Sequence, residues 1–222
     1  MRTINIELID RTIRVEVYSP AKTPAPGILL LHEIAGLLDF YRQDAQHLAN
    51  LGYLVYVPDL YSSQATRYCI RAMVLAAGRK NASDSIPARE VHCLLDALQQ
   101  DADCNGKLGM LGACLTGGFV IQMAKRNDML APVLYHHSLG IEGAGVPNNE
   151  PLDTVTRLQA HWGNIDPICQ AIRQKKLREK LGDRLEYYHY DLPHGFRSTG
   201  RLMAESALVW DRTITFFEQH LK

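Results

Sequence analysis

A short glycine-rich turn around Cys114 has the composition of a turn that carries a nucleophile. An apolar run ending at Leu111 is followed by Gly112, Ala113 and Cys114, and then by a segment of helical character that begins at Leu115. A tight turn between strand and helix exposes its central side chain, and small neighbours let the two elements approach closely. Cys114 stands where serine stands in the G-x-S-x-G pattern, and a thiol in the first turn of a helix is activated by the helix dipole. The pattern predicts a nucleophilic cysteine; the alternative is a buried cysteine at a close strand–helix contact.

Acyl transfer from a cysteine also requires a base and an acid that orients the base. After a turn of this type, the three groups follow in the order nucleophile, acid, histidine, the last two each beyond a late strand. Asp166 follows a predicted strand at 157–162, and His194 follows a predicted strand at 184–190. Taken singly, Asp166 could cap the next helix and His194 could be one of nine ordinary histidines. Their joint order and placement favour a triad with Cys114.

The other histidines fit the role of base less well. His189 lies inside the strand that precedes His194, and His136 and His137 follow a different strand. A metal site built from His136 and His137 has no spacing argument behind it. We therefore expect no metal and no cofactor.

Charge and cysteine usage exclude several classes of protein. Lys and Arg total 24, as do Asp and Glu, so no summed positive charge is available to bind nucleic acid or a membrane surface. The five cysteines include no C-x-x-C pair, which suits neither a disulfide framework nor structural zinc. The first residues lack the apolar core of a signal peptide. We expect a cytoplasmic protein with reduced thiols, a monomer or small homo-oligomer.

The order of elements predicts an α/β fold. Two alternating segments, 4–9 and 12–18, indicate an antiparallel hairpin, and apolar runs such as 27–31 and 53–57 indicate strands buried on both faces. Helical patterns separate the later strands, and a clear amphipathic helix ends the chain. This alternation predicts a mostly parallel central sheet with helices on both faces, formed by a single domain over residues 1–222. The segments 61–84 and 140–149 are expected to lie above the sheet near the site.

These motifs together resemble those of the dienelactone hydrolase family, also called carboxymethylenebutenolidase-like, within the α/β-hydrolase superfamily. The resemblance spans roughly residues 27–217. Its carrying motifs are His32-Glu33-Ile34-Ala35-Gly36, Pro58-Asp59-Leu60-Tyr61, Gly112-Ala113-Cys114-Leu115, Asp166, and His194-Gly195-Phe196.

The resemblance implies a role for each of six residues. Cys114 is the nucleophile, His194 the base and Asp166 the orienting acid, and the N–H groups of Ile34 and Leu115 form the oxyanion hole. Glu33 is implied to lie beside the nucleophile and to modulate it. A charged carboxylate there would favour the protonated thiol in the empty enzyme. The thiol would then become fully nucleophilic only when a substrate displaces or pairs with Glu33.

Two features depart from the family pattern or leave it open. Thr116 stands where the family's G-x-C-x-G-G motif has glycine, and a β-branched residue there is expected to tighten the packing of the turn and to change its local geometry. The arginines that hold a substrate carboxylate in the family cannot be aligned. The candidates are Arg67, Arg71, Arg197 and Arg201, although exposure to solvent would explain all four equally well.

The sequence thus predicts a cysteine-dependent hydrolase of small esters or lactones that acts through an acyl-enzyme. A thioesterase or general carboxylesterase could use the same residues. A catalytically silent relative that binds a small ligand is the alternative from a different class.

Overall fold

The computed structural model describes residues 1–60, 85–137, 151–169, 171–198 and 204–222. The strands within these ranges are β1 Arg2–Glu7, β2 Thr12–Tyr18, β3 Ala25–Leu30, β4 Leu54–Pro58, β5 Cys104–Ala113, β6 Met129–Tyr135, β7 Leu158–Ile165 and β8 Leu185–Pro193. The helices are α1 Asp39–Asn50, α2 Ile86–Gln99, α3 Leu115–Met123, α4 Ala171–Leu181 and α5 Ala204–Leu221.

The described strands form one sheet in the order β1-β2-β4-β3-β5-β6-β7-β8. The β1–β2 and β2–β4 pairs are antiparallel and the remaining pairs are parallel. The predicted hairpin and the mostly parallel sheet are therefore confirmed. Because β5 lies at the centre, the turn that follows it is flanked by the loops after β3 and β6.

Helices cover both faces of the sheet. One core cluster joins α2, α3 and α4 to the sheet through residues such as Leu94, Phe119 and Leu177. The other joins α1 and α5 to the opposite face through residues such as Leu48 and Phe217. The side chains of Leu94, Phe119, Leu48 and Phe217 are fully buried, which is the arrangement that the alternating pattern predicts.

Ser85 is the N-cap of α2, two residues before Pro87. Its Oγ accepts a hydrogen bond from the N–H of Ala88 at 3.3 Å. A serine at this position satisfies one of the donors that the first turn of a helix leaves unpaired.

Two late strands are longer than the apolar pattern indicates. β7 continues to Ile165 and β8 to Pro193, so that Asp166 and His194 follow the strand ends directly. A Cβ on Gly163 would lie 2.2 Å from the carbonyl oxygen of Leu192, so this close approach of β7 to β8 requires glycine. The apolar pattern did not predict this extension, because the residues after Trp162 belong to the strand through main-chain pairing with β8 and not through an apolar run.

The segments 61–84 and 140–149, predicted to lie above the sheet, fall outside the described residues. Within the ranges that are described, no helix is long and apolar enough to cross a membrane.

Candidate active site

Cys114 occupies a strained turn between β5 and α3. Its backbone has φ 55° and ψ −119°, a left-handed conformation that L-residues rarely adopt. The Cys114 N–H donates to the carbonyl oxygen of Tyr135 at 3.1 Å, which ties the turn to β6. A Cβ on Gly112 would lie 2.6 Å from the carbonyl oxygen of Thr116, so glycine is required two residues before the cysteine. The turn thus has the strain and small neighbour expected of a nucleophile position.

The Thr116 hydroxyl forms hydrogen bonds to the main chain of this turn. Its Oγ accepts from the N–H of Ala113 and donates to the carbonyl of Ala113, each at 2.9 Å. The N–H of Leu31 donates to the carbonyl of Leu111, so the main-chain groups of Leu111 face β3. Every second residue of a strand directs its main-chain groups to the same side, so those of Ala113 also face β3. Since β3 ends at Leu30, Thr116 supplies the partners that a longer strand would have supplied. The left-handed turn at the cysteine is therefore compatible with threonine at position 116.

We expect Thr116→Val to destabilise the protein by about 1–3 kcal/mol, because the main-chain groups of Ala113 would be buried without a partner. Thr116→Ser keeps the hydroxyl and serves as the matched control. Urea unfolding of both variants measures the difference. Equal stability of the valine and serine variants would show that the hydroxyl contributes nothing to the turn.

Asp166 uses its two carboxylate oxygens for different partners. Oδ1 accepts from the N–H groups of Ile168 and Cys169, both at 2.8 Å. Oδ2 lies 2.8 Å from Nδ1 of His194. Burial would raise the Asp166 pKa, but the hydrogen bonds from His194 and from the two N–H groups lower it. The carboxylate is therefore fixed, ionised and directed at the imidazole, and it does cap the following turn as well.

His194 lies between Asp166 and Cys114. Burial alone would lower the His194 pKa, but hydrogen bonds to Asp166 and Cys114, together with their negative charges, raise it to about 9. The structure therefore brings together the three residues that the sequence places far apart along the chain.

The Glu33 loop is held by several contacts. Nδ1 of His32 donates to the Glu33 carbonyl at 2.9 Å, and its Nε2 accepts from the N–H of Leu60 at 3.1 Å. The Glu33 N–H donates to the hydroxyl of Tyr41 at 3.0 Å. Glu33 is 4% exposed, and burial raises its pKa, partly offset by a hydrogen bond with Ser198 and by the charge of His194. The carboxyl therefore lies on the His194 side of the site.

His136 is a component of the site whose role the sequence did not reveal. Its Nε2 lies 3.5 Å from Oε2 of Glu33, and its ring meets the His194 ring edge-to-face with centroids 4.4 Å apart. Its φ of 31° and its complete burial show that the backbone turns sharply to place it there. Burial and the charge of His194 lower the His136 pKa well below its usual value, so the ring packs against His194 as a neutral imidazole. The signal available was only its position directly after β6, which is next to β5.

The N–H groups of Leu115 and Ile34 are the donors that the resemblance assigns to an oxyanion hole. The Leu115 N–H is the first of α3, where a helix leaves its donors without intrahelical partners. Among the described residues, no hydrogen bond uses the N–H of Leu115 or of Ile34. Their use by a substrate oxygen remains a prediction.

Of the four arginine candidates, only Arg197 is described. It is 6% exposed, forms an ion pair with Asp44, and stacks 4.8 Å from the ring centre of Trp210. These contacts give Arg197 a structural role between α1 and α5. Arg67, Arg71 and Arg201 lie outside the described residues.

No group of three or more His, Cys, Asp and Glu side chains within the described ranges is arranged to hold a metal ion.

Comparison with known proteins gives consistent results. The sequence profile of the dienelactone hydrolase family matches residues 13–221. A carboxymethylenebutenolidase from Pseudomonas putida is 26% identical, with 96% of this chain and 94% of that protein covered.

Solved structures of similar chains show the same fold. A candidate dienelactone hydrolase from Klebsiella pneumoniae has a TM-score of 0.80 at 19% identity, covering 99% of this chain and 98% of that chain. An α/β serine hydrolase from Xanthomonas campestris has a TM-score of 0.65 at 12% identity, covering 96% and 93%. Together with the sheet order, these likenesses show an α/β-hydrolase fold.

Proposed function

Because the chain belongs to the dienelactone hydrolase family, we propose that it hydrolyses small esters or lactones with Cys114 as nucleophile, His194 as base and Asp166 as orienting acid. The chain is a hydrolase of ester or lactone bonds, as its family and relatives indicate.

One observation carries the residue roles. His194 hydrogen-bonds Asp166 at 2.8 Å through Nδ1, which leaves Nε2 for the thiol of Cys114 on its strained turn. With Nδ1 donating to Asp166, neutral His194 has its lone pair on Nε2, which is the tautomer that a general base needs.

Acylation follows from this geometry. Cys114 passes its proton to His194 and its sulfur attacks the substrate carbonyl carbon, while the carbonyl oxygen gains negative charge. The N–H groups of Leu115 and Ile34 are proposed to stabilise that oxygen. When the carbonyl reforms, the C–O bond to the leaving alkoxide breaks and the alkoxide takes the proton from His194. A thioester to Cys114 remains.

Deacylation reverses the roles. Neutral His194 accepts a proton from water as the water oxygen attacks the thioester carbon. The C–S bond then breaks, the carboxylic acid leaves, and the proton on His194 returns to the sulfur. For a lactone, the alcohol and the acid are parts of one product.

A combined turnover and labelling experiment tests the proposal. Wild-type protein is assayed with p-nitrophenyl acetate, a panel of lactones and a panel of acyl thioesters, and then with graded iodoacetamide followed by peptide mapping. We expect ester or lactone turnover to fall in proportion to Cys114 alkylation, ahead of the other cysteines. Full activity with Cys114 fully alkylated would remove it as nucleophile. Preferred turnover of thioesters would identify a thioesterase, and no turnover of any substrate would favour a silent ligand-binding relative.

Glu33 is proposed to restrain the thiol in the empty site. Burial raises the Glu33 pKa, so the restraint should be absent at acid pH, where the carboxyl is neutral, and appear as it ionises. We expect Glu33→Gln and wild type to alkylate at equal rates at low pH, with the variant faster near neutral pH. Iodoacetamide rates across pH measure this. Glu16→Gln is the control. Glu16 is a buried glutamate on β2 that is paired with Arg42 of α1. Identical profiles for wild type and Glu33→Gln would make Glu33 a structural residue.

A further inference from the structure

His136 contacts the Glu33 loop and the His194 loop with one buried ring. Its Nε2 lies 3.5 Å from Oε2 of Glu33, and its ring meets the His194 ring edge-to-face with centroids 4.4 Å apart. The ring also packs against Phe196, two residues after His194, with centroids 4.7 Å apart. The side chain that adjoins the glutamate therefore also supports the loop that carries the base.

The backbone holds His136 in this position at a cost. Its φ of 31° lies in the left-handed region, and its N–H donates to the carbonyl of His161 at 2.9 Å, which ties the turn to β7. A strained backbone at a buried residue persists only where the surrounding structure determines it, and such positions cluster at functional sites.

His136 is a neutral ring in this environment. Burial, followed by the charge of His194, lowers the His136 pKa well below its usual value. The charge of Asp166 opposes this change, while His137 and His161 add to it. A neutral imidazole carries a single N–H, so only one of its two nitrogens is a donor.

The charge of Glu33 determines which nitrogen of His136 holds the proton. Nδ1 of His136 is buried without a hydrogen-bond partner among the described residues. When Glu33 is ionised, a proton on Nε2 can be donated to Oε2, whereas a proton on Nδ1 would leave a buried donor unpaired and direct a lone pair at the carboxylate. When Glu33 is protonated, its O–H can donate to Nε2, and the ring proton moves to Nδ1.

The other polar groups around Glu33 leave room for this donor. The Ser198 hydroxyl hydrogen-bonds Glu33, but its single proton is shared with the carbonyl of Gly195 at 2.9 Å. The Tyr41 hydroxyl accepts from the main-chain N–H of Glu33 at 3.0 Å. The charge of His194 acts on the carboxyl without a hydrogen bond as its cause.

We infer that His136 is a positioning residue of the proposed site: its Nε2–H donates to ionised Glu33, and its ring supports His194. By stabilising the carboxylate, His136 sets the pH at which Glu33 begins to restrain the thiol of Cys114. That effect on the thiol rests on the proposed function. The hydrogen bond does not, so the two are tested separately.

The Glu33 pKa measures this hydrogen bond without any assay of turnover. NMR of the glutamate carboxyl carbons follows the titration, and the Glu33 signal is assigned by its absence from Glu33→Gln. We expect His136→Phe, which keeps an aromatic ring without a donor, to raise the Glu33 pKa by about one pH unit. His136→Gln places an amide N–H near the position of Nε2 and should restore most of the difference. His161→Phe, which changes a fully buried histidine bonded to Tyr190, is the matched control.

The tautomer of His136 provides a readout in the wild-type protein. NMR of the ring nitrogens should show the proton on Nε2 above the Glu33 pKa and on Nδ1 below it. This change should be absent from Glu33→Gln. A tautomer of His136 that does not change with pH in wild type would overturn the inference, as would an unchanged Glu33 pKa in folded His136→Phe.

Iodoacetamide rates connect the hydrogen bond to the thiol. In His136→Phe the slowing of Cys114 alkylation by Glu33 should begin at a pH about one unit higher than in wild type, and the difference should vanish in the Glu33→Gln background. An equal difference in both backgrounds would leave His136 with a packing role only. If the Glu33 pKa rises but no ester or lactone is turned over, the hydrogen bond stands and the proposed function fails. If Cys114-dependent turnover is present but the Glu33 pKa does not change, the function stands and the inference fails.

Discussion

Replacing Cys114 with alanine is expected to lower kcat on the order of 10⁴-fold or more, because the change removes the thiol proposed to form the covalent intermediate. The change removes one sulfur atom and leaves the main-chain contacts of the turn in place, including the hydrogen bond from position 114 to Tyr135. Binding of substrate should therefore persist while turnover is lost. Steady-state kinetics on the best substrate of the ester and lactone panel measure kcat and KM separately.

Cys93→Ala is the matched control for this experiment. Cys93 is also a partly accessible free thiol, but it lies on α2 rather than on the turn after β5. It should leave kcat unchanged. A Cys114→Ala enzyme that retained more than a few per cent of wild-type kcat, with background hydrolysis subtracted, would contradict covalent catalysis by this residue.

The proposed triad could be predicted because each of its members has a local signature. Cys114 stands between a strand and a helix with glycine two residues before it, and Asp166 and His194 each follow a late strand. Parallel strands bring their carboxyl ends to one edge of the sheet, so the order of elements alone places these residues together. What the sequence could not provide was the 2.8 Å contact between Asp166 and His194, which depends on the extension of β7 and β8.

The remaining parts of the site have no such local signature. Thr116 was expected to change the turn, yet its hydroxyl satisfies main-chain groups that β3 is too short to reach. That role depends on where a neighbouring strand ends. His136 was set aside because it follows a different strand, but that strand is adjacent to β5, and a left-handed backbone turn directs its ring at His194. Sheet order, which the sequence does not state, determines both roles.

The arginine candidates show the same limit. They were chosen from the sequence because they lie near His194 or in the segment 61–84, and the one described, Arg197, is instead paired with Asp44. The sequence does not show which arginines have such a partner.

Asp166→Asn is expected to lower kcat by about 10⁴-fold while the protein remains folded. The asparagine Oδ1 can keep the hydrogen bonds from the N–H groups of Ile168 and Cys169. Its amide NH₂ then takes the place of Oδ2 and donates to Nδ1 of His194. The imidazole proton must move to Nε2, which is the nitrogen that has to accept the proton of the thiol. The variant therefore holds the histidine in place in the wrong tautomer.

The pH dependence should change in a defined direction. Hydrogen bonding and charge from Asp166 help to raise the His194 pKa to about 9, so the imidazolium that forms when Cys114 gives up its proton is stable, and can protonate the leaving alkoxide, until the pH approaches that value. Without the carboxylate this pKa falls. The residual activity of Asp166→Asn should thus decline at a lower pH than that of wild type. Rates measured from pH 5 to 10, with thermal unfolding as the check on folding, test both effects.

Asp191→Asn is the matched control, since Asp191 lies on β8 near the site and accepts a hydrogen bond from Asn164 rather than from a histidine. This variant should retain wild-type kcat, and its rate should decline at the same alkaline pH as that of wild type. The opposite result, near-normal turnover in Asp166→Asn and a large loss in Asp191→Asn, would mean that Asp166 serves only as the cap of the following turn. The acid that orients His194 would then be Asp191.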